Sequence, residues 1–96
     1  MKRQGDLLIV AVLGIPDGSH PKEDRILAEG ERSGHLHELT GGQVYEKKGT
    51  LYFKVDRGME IDLTHPEHDT LTFVPGTYKV IRQREYLPEG WRYVAD

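Results

Sequence analysis

Residues 50–63, Thr50-Leu51-Tyr52-Phe53-Lys54-Val55-Asp56-Arg57-Gly58-Met59-Glu60-Ile61-Asp62-Leu63, decide the fold class. Leu51, Phe53 and Val55 alternate with Tyr52, Lys54 and Asp56. After Arg57-Gly58, Met59, Ile61 and Leu63 alternate with Glu60 and Asp62. A period of two puts each apolar set on one face of a strand, and a short Gly turn between two such runs is a hairpin signal. Carrying the second alternation forward puts His65 in phase with Met59, Ile61 and Leu63, so its ring points to the core side. Pro66 then ends the ladder, because proline has no N–H to give.

Outward from this hairpin the chain reads as further short strands. Toward the N-terminus, Leu7 to Leu13 is a continuous apolar run, of a length that suits a strand buried on both faces. Ile15-Pro16-Asp17-Gly18 breaks it, and Ser19 to Asp24 reads as a polar loop holding His20. Arg25 to Glu29, His35 to Leu39 and Gln43 to Glu46 are strand candidates, separated by Gly30, by Gly41-Gly42 and by Lys47-Lys48-Gly49. Toward the C-terminus, Leu71 and Phe73 begin a strand. Val74-Pro75-Gly76-Thr77 is a turn, and Tyr78 to Tyr86 is a long strand. Trp91 to Ala95 is a last edge strand or a tail. No stretch carries a helical period. The expectation is an all-β, single-domain barrel or sandwich over residues 1–96, of about eight mostly antiparallel strands.

The bulk numbers bound the function classes. Ninety-six residues can bury one thin core. A net charge of -3 with 30% charged residues argues against strong nonspecific binding to nucleic acid, though it leaves room for a local basic patch. There is no cysteine, so any bound metal would use nitrogen and oxygen ligands. Met1-Lys2-Arg3 ahead of Leu7 to Ile15 faintly resembles a secretory leader, but the apolar run is too short to span a bilayer and no small-x-small site follows it. The expectation is a cytoplasmic protein without membrane association. Its thin core and edge strands make a homodimer plausible.

Four of the five histidines fall in two pairs, His35-Leu36-His37 and His65-Pro66-Glu67-His68. Side chains at i and i+2 of a strand share a face, so two imidazoles can reach one ion. The second pair straddles a proline turn that can fold both rings back toward the sheet. His35, His37, His65 and His68 are therefore expected metal ligands, for a divalent ion such as zinc, iron, nickel or manganese. The rival reading makes them ordinary strand and turn residues, and a metal-free version makes them general acids and bases, since imidazole titrates near neutrality.

Glu67 and Glu85 are candidates for a base or an additional ligand. Arg84 and Tyr86, with Arg82 beside them, are candidates for orienting a polar or anionic substrate. Glu29 and Glu31 are candidate acceptors behind the rings. The functional expectation is a hydrolase acting on a small molecule or a phosphodiester such as RNA. The alternatives are a histidine acid–base ribonuclease and a binding module with a structural metal site.

His-x-His on a strand of a small all-β chain is similar to the cupin metal site. The match is partial: Thr40, Gly41 and Gly42 stand where cupins place a glutamate, and His65 and His68 precede Pro75-Gly76 rather than follow it. Over most of its length the chain also resembles a set of small, functionally uncharacterised bacterial and phage-associated proteins. That resemblance runs through Leu27-Ala28-Glu29-Gly30-Glu31, Gly34-His35-Leu36-His37, His65-Pro66-Glu67-His68, Pro75-Gly76-Thr77-Tyr78 and Gln83-Arg84-Glu85-Tyr86. It implies that these stretches belong together and carries no activity with it.

Overall fold

Two antiparallel sheets face each other across the core, in a computed structural model that describes residues 1–30, 32–87 and 90–93, without the side chains of 84–87 and 90–93. The described strands are β1 Lys2–Gln4, β2 Leu7–Val12, β3 His20–Lys22, β4 Ile26–Glu29, β5 Leu36–Leu39 and β6 Gln43–Lys47. They continue as β7 Thr50–Val55, β8 Ile61–His65, β9 His68–Phe73, β10 Gly76–Arg82, β11 Arg84–Leu87 and β12 Gly90–Tyr93. One sheet has six strands in the order β1-β2-β10-β7-β6-β3, and the other has four in the order β4-β5-β8-β9. β11 and β12 form a separate hairpin. The all-β expectation is met as a sandwich-like fold rather than a closed barrel.

The alternation holds within β7 and β8, over residues 50–55 and 61–63. Phe53 and Val55 from the six-stranded sheet and Ile61 and Leu63 from the four-stranded sheet are buried. Leu7, Ile9, Val44 and Val80 complete the first inner face, and Leu27, Leu39 and Phe73 the second. Three aromatic rings join the layers. Phe53 meets Phe73 edge-on at 5.3 Å, and Tyr78 lies 5.0 Å from each. Such contacts add about 0.5–1.5 kcal/mol per pair beyond the area they bury.

Four expectations are corrected. The apolar run of residues 7–13 is not buried on both faces. In β2 only Leu7 and Ile9 are fully covered, while Leu8, Val10 and Val12 are half-buried; Leu13, just past the strand, is fully exposed. Met59 is exposed, because the strand after the turn begins only at Ile61. His20 lies on β3, not in a loop, paired with Glu46 of β6. The long strand over 78–86 is interrupted at Gln83, whose N–H turns to the backbone carbonyl of Asp6 at 2.7 Å.

β1, over Lys2–Gln4, carries no apolar alternation and matters most for the site. Gln4 pairs with Leu7 across the two-residue turn Gly5-Asp6, with Gly5 at φ 57°. Glycine at the first central position suits the primed turn that matches strand twist. This turn delivers Asp6 and Gln4, both buried, between the sheets.

Candidate functional site

The two histidine pairs converge at one end of the four-stranded sheet. β5 and β8 are neighbours there, and the β8–β9 turn brings His65 opposite His68 in register. Ring centroids are 4.3 Å apart for His37–His65, 4.5 Å for His65–His68, 5.7 Å for His35–His65 and 6.1 Å for His37–His68. His37 is fully buried and His65 nearly so, while His35 and His68 lie at the partly exposed rim. His37 shares the inward face of β5 with Leu39, and His65 takes the phase of Ile61 and Leu63.

The hydrogen bonds fix which nitrogen of each buried ring carries the proton. Gln4 Nε2 donates to the carbonyls of Leu63 and Asp69, both at 2.9 Å. That orients its amide so that Oε1 faces His37 Nδ1 at 2.8 Å. An acceptor there requires a proton on Nδ1, so neutral His37 presents the bare lone pair of Nε2. His65 has the opposite tautomer. Its Nδ1 accepts the Glu67 N–H at 3.0 Å, so the proton of the neutral ring sits on Nε2.

The lone pair of His37 Nε2 lies 3.9 Å from Asp6 Oδ1, and both residues are fully buried. Neither atom has a hydrogen bond within the protein, and nor has His68 Nε2. Two buried polar atoms face each other without a hydrogen-bond partner, an arrangement that normally costs free energy. The other carboxylate oxygen, Asp6 Oδ2, takes Arg82 Nε at 2.7 Å. At the rim, His35 Nδ1 stands 2.6 Å from Glu67 Oε1 in a partly exposed contact.

His37 is held neutral. Burial first, then repulsion from the His65 ring, push its pKa from 6.5 down to about 4, and the opposing pull of Asp6 does not restore it. Among the described residues, no group of three or more His, Cys, Asp or Glu side chains already surrounds a single point as metal ligands do.

The remaining candidates divide. Glu67 belongs to the rim through its backbone N–H and its carboxylate. Arg82 points to the site through Asp6, and it also donates to the backbone carbonyl of Glu29 at 3.2 Å. The expected roles of Arg84, Glu85 and Tyr86 rest on side chains outside the described residues, as does Glu31. Their backbone places 84–86 on β11. Sequence reasoning missed Gln4 and Asp6. The signal for them was Gly5-Asp6, a dipeptide of the two-residue hairpin type set directly before an apolar run.

Residues 3–83 match a family model described as a domain of unknown function, DUF8820, and the chain belongs to that family. No curated protein and no solved structure matches it. Among the described residues no helix is long and apolar enough to cross a membrane.

Proposed function

Since membership of a family of unknown function assigns no activity, we propose from the site itself that the histidine cluster binds a divalent transition metal ion. The observation that carries this reading is the pair His37 Nε2 and Asp6 Oδ1, two fully buried atoms 3.9 Å apart, neither with a hydrogen-bond partner in the protein. A ligand imidazole must be neutral, with its other nitrogen held by an acceptor, and Gln4 holds His37 in that state. A conjugate-acid pKa of about 4 suits a ligand and makes a weak general base near neutral pH.

His68 supplies the third ligand, favoured over His65, whose Nδ1 is engaged by the Glu67 N–H. His68 and the His35–Glu67 pair sit at the rim, where side chains can swing toward the fixed pair beneath. Zinc, iron, nickel and manganese all accept this nitrogen–oxygen set. The reaction class that fits a redox-silent ion at a partly open rim is hydrolysis of a polar or anionic substrate, with Glu67 as base. A bacterial or phage-associated origin belongs to the same reading, carried by the residue pattern alone.

The test is metal content. Untagged protein equilibrated with zinc and then gel-filtered should retain close to one ion per chain by mass spectrometry. Asp6→Asn and His37→Ala should lose it, His20→Ala on the exposed β3 should keep it, and Gln4→Leu should weaken binding by about 10–100-fold. Retention unchanged by Asp6→Asn and His37→Ala would refute the site. The close His35–Glu67 pair supports a second reading, metal-free acid–base catalysis. Hydrolysis that survives a strong chelator would favour it.

A further inference from the structure

The outer face of the six-stranded sheet has a composition that the chain as a whole does not. Residues whose register parity opposes buried Leu7, Ile9, Val44, Phe53 and Val80 point away from the core. One register row crosses five strands as Val10, Lys79, Tyr52, Tyr45 and Pro21. The next row contains Lys54, and Arg3 lies on β1 opposite Leu8. Tyr45, Tyr52 and Lys79 are half-exposed, and Lys54 and Arg3 are exposed. None of the outward positions of these six strands is Asp or Glu, although the chain has 16 acidic residues against 13 basic ones. Excess negative charge is thus kept off this face.

We propose that this face binds single-stranded nucleic acid. Neighbouring strands lie about 4.8 Å apart, so two tyrosines in adjacent register form a platform on which successive bases can stack. Lys54 and Lys79 border Tyr52 on β7 and β10, and Arg3 extends the positive edge, which supplies phosphate partners around the stacking surface. Leu8, Val10 and Ile81 give the same face an apolar floor that is only half covered. A second copy of the chain is a poor occupant, since it would bring the same uncompensated cations against these. The surface uses none of the histidines, so its test is independent of the metal test.

Fluorescence anisotropy with a labelled oligothymidylate reads the binding directly. Affinity should fall with salt at a log–log slope of about -2, as two or three released counterions give on a single strand. Lys54→Gln and Lys79→Gln should each flatten that slope by about 0.7. Tyr52→Ala should weaken binding by about 5- to 150-fold, and Tyr52→Phe, which keeps the ring, should restore it. Matching thermal midpoints will show that the variants are folded. The proposal is overturned by no binding at low salt, or by binding indifferent to Tyr52→Ala. Equal competition by duplex DNA, or a dimer that the oligonucleotide fails to dissociate, overturns it as well.

Discussion

His37 carries an energetic cost that pH can expose. Its pKa is about 4 in the folded protein against 6.5 for an ordinary histidine, so the unfolded chain takes up the proton first as pH falls. The stability associated with its neutral form is full above pH 6.5 and is lost as pH drops from 6.5 toward 4. Over that window the loss reaches about 3 kcal/mol. Urea midpoints measured with chelator present should fall through this range, and His37→Gln should remove most of the slope. The residue itself was legible in the sequence through its pairing with His35, but with only Leu39 in phase its inward face was not, whereas the phase of Ile61 and Leu63 gave that of His65. Asp6 and Gln4 were not, because an acidic residue in a turn and a glutamine next to basic residues look like solvated positions. Only the pairing of β1 with β2 turns them inward.

At the level of elements, turn chemistry sets register, and one turn here is chemically unfavourable. Lys47 pairs with Thr50 across the two-residue loop Lys48-Gly49, with φ of 49° and 82°. Both positions are left-handed, which glycine adopts freely and lysine does not. Lys48→Asn, a residue suited to that conformation, should raise stability by about 0.5–1 kcal/mol without moving the strands. Chemical denaturation gives the change in midpoint, and a fall in stability would contradict the turn assignment. The same logic explains which strands the sequence revealed. β7 and β8 alternate cleanly, and their turns are marked by glycine. β3 hides in His20-Pro21-Lys22, three residues with no apolar alternation, paired only along the edge of β6. The run of residues 7–13 misled in the other direction. Its outer face is apolar although no described layer covers it, which is the property the proposed nucleic-acid surface draws on.

For the molecule as a whole, two thin sheets depend on a few rings that touch both. Phe73 comes from the four-stranded sheet and Phe53 and Tyr78 from the six-stranded one, and each ring lies within 5.3 Å of the others. A domain of this size has a total stability of about 5–14 kcal/mol. Phe73→Ala should remove about 3–5 kcal/mol of it by leaving a cavity between the layers. Phe73→Leu keeps much of the volume and should cost under about 2 kcal/mol. The thermal midpoint should therefore fall by more than about 12 °C in the alanine variant and by clearly less in the leucine variant. The histidine cluster gives this prediction a second readout. Its parts are split between the sheets, with Asp6 and Gln4 arriving from one and the four histidines from the other. If the rings hold the layers in register, loosening them at Phe73 should also weaken zinc retention before the chain unfolds, whereas Lys54→Gln on the outer face should leave it unchanged. Zinc retained at wild-type levels by a folded but destabilised Phe73→Leu protein would show that the end of the sandwich holds its geometry without the aromatic contact.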